Sequence, residues 1–364
     1  MGATFGDVVT SAPSVWGAAN ATSAAMVFPL GWPVALTLLA LVSDPAQIWH
    51  AGDRYAEVAK LVRQAGDQMT DAVVRRAGSD DWSEQGREAF MANRLRPYQV
   101  ALGQAAGMYD DMDGTLKASA VAYTGLGLSS AIIGSSLLSF VAPYLAAAVV
   151  PGVGATATYV ANTAMVEAGV VVRTMVAGMA KVNGAVASVL SGLATALGVS
   201  QGALTGVSAG VTAVTAGGLG GYQTIFRAAP SMRESVRPVL WPAHVDDGGS
   251  PPDGFRGSSA AQLRDLKRIH PRSIEALGRE LDAGASKTLD KACELARGND
   301  VGVPGFGGAG VHLAFVCVAM RDGAVRHLMA GRDQPGTWLP ALRTVAGNWA
   351  YAEAATVEAA KRVR

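Results

Sequence analysis

Residues 118–166 read ASAVAYTGLGLSSAIIGSSLLSFVAPYLAAAVVPGVGATATYVANTAMV, and no charge interrupts them. Residues 182–226 are uncharged as well, so between Lys117 and Arg227 the charged residues are Glu167, Arg173 and Lys181 alone. Each run exceeds the roughly 20 residues that cross the hydrocarbon core of a bilayer as a helix. Yet the stretch is made of Ala, Gly, Val, Ser and Thr rather than Leu and Phe. It is moderately hydrophobic and able to pack closely on itself. A buried or membrane-conditional helical region is expected here, not a catalytic centre.

Charge-bearing helical sequence flanks this centre. Asp44-Pro45 pairs an acidic N-cap with proline at the first helical position, which starts a helix well. Ile48, Tyr55, Val58, Val62, Ala65, Met69 and Ala72 then follow at heptad spacing, while Asp53, Arg54, Glu57, Lys60, Arg63 and Asp67 take the wet side. Ala77 to Asp81 ends this helix. The seam resumes through Met91, Leu95, Tyr98, Leu102, Ala105, Tyr109, Met112 and Leu116, and Pro97 should bend or open the helix locally. Two long amphipathic helices joined by so short a loop are expected to be antiparallel neighbours.

Within the uncharged centre, Pro143 and Pro151-Gly152 read as breaks. Gly198, Gly202, Gly206 and Gly210 recur every four residues, a strip that lets helix backbones approach closely. A tightly packed Gly/Ala helix in a soluble bundle accounts for the same spacing. Residues 242–259, PAHVDDGGSPPDGFRGSS, have linker composition. Beyond them Pro271 to Arg297 reads as helix, followed by a loop over Gly298 to Gly308 and a helix around Val311 to Met329. Gly331 and Pro335-Gly336 are expected to interrupt before a last helix over about Leu339 to Arg362. The expected fold is all-α: long antiparallel helical hairpins, four-helix-bundle-like, with a central Gly/Ala-rich hydrophobic region. The divisions are 1–43, an apolar N-terminal segment; 44–117, a hairpin; 118–226, the hydrophobic region; 227–259, a linker; and 260–364, a C-terminal hairpin.

Composition narrows the function classes. Half of the 364 residues are hydrophobic and 16% are charged, against roughly 25% charged in ordinary soluble domains. A net charge of +1 argues against nucleic acid as a partner. The apolar run from Ala24 to Val42 lacks a basic n-region, so it is a poor general-secretory signal.

The first loop reads Asp81-Trp82-Ser83-Glu84-Gln85-Gly86-Arg87-Glu88-Ala89-Phe90. A tryptophan in the turn between two long helices, with Ala89 and Phe90 beyond it, resembles the WXG100 hairpins exported by type VII secretion systems. Glu84 stands where that family has glycine, and Gly86 follows two positions later. Tyr109 and Asp113 supply Y-x-x-x-D on the second helix and share a face. In the family such a pair, with the tryptophan turn, resembles the composite signal read by the export machinery. On that likeness Trp82, Gly86, Phe90, Tyr109 and Asp113 form the secretion signal. The order of parts, from Trp16-Gly17 through the hairpin to a Gly/Ala-rich region, resembles the ESX secretion-associated substrates of the EspA and EspE kind from mycobacteria and relatives. The resemblance covers roughly residues 15 to 180. The C-terminal hairpin, with Gly305-Phe306-Gly307 in its loop and Trp349 and Glu353 one turn apart, more loosely resembles the EspC-like or WXG100-like partner fold.

Enzyme-like patterns lack their context. Gly206-Val207-Ser208-Ala209-Gly210 spells G-x-S-x-G without the preceding strand of a nucleophile elbow. Gly305, Gly307 and Gly310 match the dinucleotide fingerprint, but Pro304 precedes them and no βαβ unit surrounds them. His50, His244, His270, His312 and His327 have no metal-ligand spacing. Cys293 and Cys317 lie on facing arms of the C-terminal hairpin, which leaves a bridge after export or, as expected, two buried thiols. No catalytic residue, cofactor or metal is expected.

The sequence thus reads as a non-catalytic, type VII (ESX-like) secreted helical protein of the cell envelope, acting by self-association, membrane contact or both. The alternative is an α-helical pore-forming toxin with an insertable hydrophobic hairpin, and an integral membrane protein is a third class. Expected partners are the secretion machinery or a chaperone, a small WXG100 protein, a membrane, and further copies of the chain.

Overall fold

The computed structural model describes residues 11–76, 87–88, 90–150, 153–199 and 271–362. Among these residues there is no strand, and the fold is all-α. In chain order the main helices are α1 (Ala12–Val27), α2 (Trp32–Ala40), α3 (Pro45–Arg76), α4 (Arg96–Ser139), α5 (Val141–Ala148), α6 (Gly154–Ala196), α7 (Pro271–Leu281), α8 (Lys287–Arg297) and α9 (Val311–Arg362). The linker 227–259 and the turn 77–86 lie outside the described residues.

Local chemistry explains the boundaries. Asp44 Oδ1 accepts the Ala46 N–H at 3.2 Å and caps α3. Pro97 has no N–H to donate to the Asn93 carbonyl, and a π turn, Met91–Leu95, widens the helix just before it. A second π turn, Asp282–Ser286, joins α7 to α8. The chain leaves helix between α4 and α5 and again at Val149, close to Pro143 and Pro151.

The expected interruption at Gly331 and Pro335-Gly336 is absent: α9 runs on through Pro335 and Pro340. Pro335 has no N–H for the Gly331 carbonyl one turn back. Tyr98 supplies the missing donor, its O–H reaching Gly331 O at 2.7 Å. Ser286 Oγ donates likewise to the neighbouring Arg332 carbonyl at 2.9 Å. Side chains from other helices thus satisfy the carbonyls around the proline, and the helix persists.

The described residues fall into two compact units. Unit 2 draws on Ala56–Asp110, Pro238–Arg297 and Ala324–Arg364. In it α3 and α4 run in opposite directions, linked by an Arg63–Asp110 ion pair and a Gln99 Nε2 to Thr70 Oγ1 hydrogen bond of 2.8 Å. α3 meets α7 and α8 the same way, with Thr288 Oγ1 on Gln68 Oε1 at 2.8 Å and Arg75 and Arg76 on Glu280 at 2.6 and 2.8 Å. Arg332 pairs with Asp290 at 3.0 Å between α9 and α8. Four segments therefore pack with antiparallel neighbours around Val58, Val62, Met69, Leu95, Tyr98, Leu102, Leu277, Leu281, Leu289 and Leu328, all buried.

Unit 1 draws on Met1–Tyr55, Asp111–Arg237 and Gly298–Gly323. Here α1 lies along α4 with both chains running the same way: Gly127 faces Ser14, Gly17 meets Ser130 and Gly134, and Asn20 Nδ2 donates to Ser135 Oγ at 3.2 Å. A Cβ on Gly17 would strike the Ser130 backbone, and one on Gly134 the Gly17 carbonyl. α2 lies on α6, Gly31 against Met165 and Val34 against Gly169. The Val153 N–H donates to the Val150 carbonyl at 3.2 Å as the chain turns from α5 into α6, and α5 packs on α6. A buried hydrogen bond of 2.9 Å from Tyr123 O–H to Asn183 Oδ1 ties α4 to α6.

Candidate functional site

In α1 the residues turned inward are Ser14, Gly17, Ala18, Ala21, Ala24 and Ala25. The bulky ones are turned out, with Trp16 62% and Met26 72% exposed. α2 and the 3-10 turn before it expose Leu30, Trp32, Leu36 and Leu39, while Val34, Ala35 and Leu38 of α2 are buried. On α6 the exposed residues include Tyr159, Val160, Val166, Val170 and Val171. Apart from Val74, Val100, Met329 and Val345, every exposed large apolar residue described belongs to unit 1. Where α1 meets α4 the small residues let backbones approach, so close dispersion contact holds that helix pair. Large apolar side chains are left for whatever lies outside.

Three helical stretches, Pro29–Arg76, Met91–Ala147 and Gly154–Ala196, are long and apolar enough to cross a membrane by length and composition. Only 39%, 28% and 22% of their most apolar windows is buried. These helices are compatible with association with a membrane or envelope.

The edge of the uncharged run has its own structure. Lys117 Nζ lies 2.7 Å from Asp113 Oδ1, 2.8 Å from Asp53 Oδ1 and 5.4 Å from the centre of the Trp49 ring. Gly52 leaves space for the Asp113 carboxylate. Partial desolvation works to lower the Lys117 pKa, but its hydrogen bonds to Asp113 and Asp53 outweigh it and the net shift is upward. The last charge before residue 118 is thus fixed as a cation beside two carboxylates and an indole.

Of the residues read as an export signal, Trp82 and Gly86 lie outside the described residues. Phe90 stands edge-on to Trp338, ring centres 6.0 Å apart. Tyr109 is wholly buried, its hydroxyl 3.5 Å from both His327 Nδ1 and the Ala324 carbonyl. Asp113, one turn on, keeps part of its surface and holds Lys117. The tyrosine of the pair is therefore a core anchor, and the carboxylate is its accessible member. Beside the end of α3, Val73, Val74, Arg87, Glu88, Met91, Ala92 and Arg96 line a half-open cleft of about 700 Å³.

Gly198 does not begin a helical strip. It has φ 79°, its N–H bonds Thr195 O at 2.9 Å, and Val199 N–H bonds Ala194 O at 3.0 Å. This is a left-handed glycine terminating α6. Gly202, Gly206 and Gly210, with Ser208, lie outside the described residues. The close approach that the strip was expected to make occurs elsewhere, at Gly17, Ser130 and Gly134. Its signal, Ser130-x-x-x-Gly134, stood in the sequence.

The other patterns are accounted for by packing. Gly307 has φ 64°, and a Cβ there would strike the Val42 carbonyl. Gly310 sits against the Tyr123 hydroxyl, and Gly305 O accepts the Asp44 N–H at 3.0 Å. Among the described residues no group of three His, Cys, Asp or Glu is placed to hold a metal. Cys293 and Cys317 are free, buried thiols, and burial pushes their pKa values up to about 11 and about 12. Burial lowers that of His312. Comparison with known proteins returns no match to any protein family, curated protein or solved structure.

Proposed function

We propose that this chain is a non-catalytic helical protein of the cell envelope, exported by a type VII route, which meets a membrane through unit 1. The observation that carries the membrane reading is the number of bulky apolar side chains left exposed on α1, α2 and the apolar arms of α4 and α6. In water each exposed bulky side chain forgoes about 1.5–3 kcal/mol that full burial would give. A bilayer supplies that burial without any change in the small-residue contacts within.

The export reading rests on the resemblance of Trp82, Gly86, Phe90, Tyr109 and Asp113 to the composite signal of WXG100 proteins. With Tyr109 in the core, the machinery or its chaperone would read the Asp113 carboxylate and its neighbours, while the phenol holds their helix in place. Self-association, and a small WXG100 partner, belong to the same reading.

Flotation with phosphatidylcholine/phosphatidylglycerol vesicles tests the membrane reading. The wild type should float, and Trp16→Ser combined with Trp32→Ser should cut partition at least tenfold, since about 1.4 kcal/mol is a factor of ten. Wild-type protein that stays at the bottom of the gradient sinks the reading. Release of an entrapped dye would favour the pore-forming toxin instead. Export is tested separately by Asp113→Asn, which should abolish secretion while leaving helix content unchanged; normal secretion removes the signal role.

A further inference from the structure

We propose that α6 pairs with α6 of a second copy of this chain, antiparallel and about a two-fold axis at Thr174, so that each Glu167 faces the other copy's Lys181. This rests on the self-association proposed for the chain and assigns it a surface; it does not depend on the membrane.

α6 has two faces. Met165, Val172, Met179 and Val186, seven residues apart, are buried within unit 1. On the opposite side Thr163, Glu167, Val170, Thr174, Gly178 and Lys181 are exposed. Seven residues fall only about 20° short of two turns, so each set keeps to its own side, and Val172 and Thr174 stand about 200° apart. The exposed line carries charge in a pattern. α6 has three charged residues, and two of them, Glu167 and Lys181, lie on this line, seven residues to either side of Thr174. Turning a second helix end over end about Thr174 lays Glu167 on Lys181 and Lys181 on Glu167, two opposite-charge contacts about 21 Å apart along the seam. An isologous interface uses one patch twice, so a single match of charge is made twice. A parallel pair would set carboxylate on carboxylate and ammonium on ammonium, which costs affinity. Arg173 stands about 100° off the line. It lies at the rim, where its long stem keeps the guanidinium in water.

Shape agrees with charge. The inversion that pairs 167 with 181 sets Val170 against Gly178 and Val171 against Ala177. Val170 and Val171 are exposed, and a Cβ on Gly178 would meet nothing within 4 Å. Each valine therefore finds a small residue and open space opposite it. A lipid surface would fit the valines but leave a carboxylate and an ammonium without counter-charge in hydrocarbon, which is costly. A second copy matches the valines and both charges at once.

The test is sedimentation of the full-length protein over a dilution series, without vesicles. The wild type should dimerise. Glu167→Lys and Lys181→Glu should each raise the dimer Kd at least about tenfold, because each sets like charges together. An equimolar mixture of the two variants should return to within about threefold of the wild-type Kd, since every charge then faces its opposite. Both sites are exposed, and unchanged circular dichroism verifies the fold. Direction is read by oxidative cross-linking, the native thiols being buried. Val170→Cys mixed with Gly178→Cys should form the mixed disulfide. Val170→Cys alone should bridge far less, because its two copies would lie about 12 Å apart along the seam and a disulfide needs Cβ atoms about 4 Å apart. An oligomer that neither charge reversal weakens, or a Val170→Cys self-bridge that outruns the mixed one, overturns this proposal and leaves self-association standing on another surface. Wild type that stays monomeric at every concentration removes both. The flotation test of the membrane reading, made on Trp16 and Trp32, is independent of either result.

Discussion

In unit 2 bulk points inward and charge outward. Tyr98, Leu102, Leu281 and Leu328 are buried, and Arg63, Arg75, Arg76 and Glu280 form ion pairs on the outside. Around α1 of unit 1 the order is reversed, with Gly17, Ala21 and Ala25 inside and Trp16 and Met26 outside. The first arrangement is stable in water because the apolar area it removes from solvent is large. The second gains little from water and much from close backbone contact. The units should therefore fail under opposite kinds of substitution.

The largest effect is expected from removing bulk in unit 2. Tyr98→Ala opens a cavity and leaves the Gly331 carbonyl without its donor, at about 3–5 kcal/mol, measured by urea denaturation. Adding bulk should be what damages unit 1. Gly134→Leu drives a side chain into the Gly17 backbone and should cost about 3 kcal/mol. If it is tolerated, close backbone contact does not hold α1 on α4. Next comes the pH response of unit 2. Hydrogen bonds from Arg76 and then Arg75 hold the Glu280 carboxyl below its ordinary value. Because the folded value is the depressed one, its contribution is complete above the unfolded pKa of about 4.3 and lost as pH falls through the folded value. Both guanidinium groups stand largely in water, so Glu280→Gln should cost about 1 kcal/mol or less at pH 7, and its difference from wild type should vanish in acid. The smallest effect on stability is expected for Leu36→Ser with Leu39→Ser on the outer face of α2, within about 0.5 kcal/mol. A loss as large as that of Tyr98→Ala would show those leucines to be core and end the contrast.

The local and periodic parts of this fold were legible in the sequence. The seam from Ile48 to Leu116 is buried almost throughout, Met91 being partly exposed, and Asp44 caps its helix. Periodicity reports which face of a helix leaves water, and unit 2 sorts its residues that way. Around α1 both faces are apolar, so polarity carries no orientation and size decides instead; Gly17 was visible, but not its partner. The helix through Pro335 was misread because the donor to Gly331 comes from residue 98, far away in the chain. Gly198 was misread because four-residue spacing alone does not distinguish a strip from a terminator. As for the candidate site, the uncharged run was plain, while the Lys117 cluster needed Trp49 and Asp53 from another helix.

The hydroxyl of Tyr98 resting on Gly331 implies a particular form of epistasis. Tyr98→Phe strands a buried carbonyl, at about 1–3 kcal/mol. Pro335→Ala restores the N–H that an uninterrupted helix would offer that same carbonyl. Each residue exists in the context of the other, so a chain weakened at 98 is open to suppression at 335, more than two hundred positions away. Lineages that drift at one of these sites should be free to drift at the other.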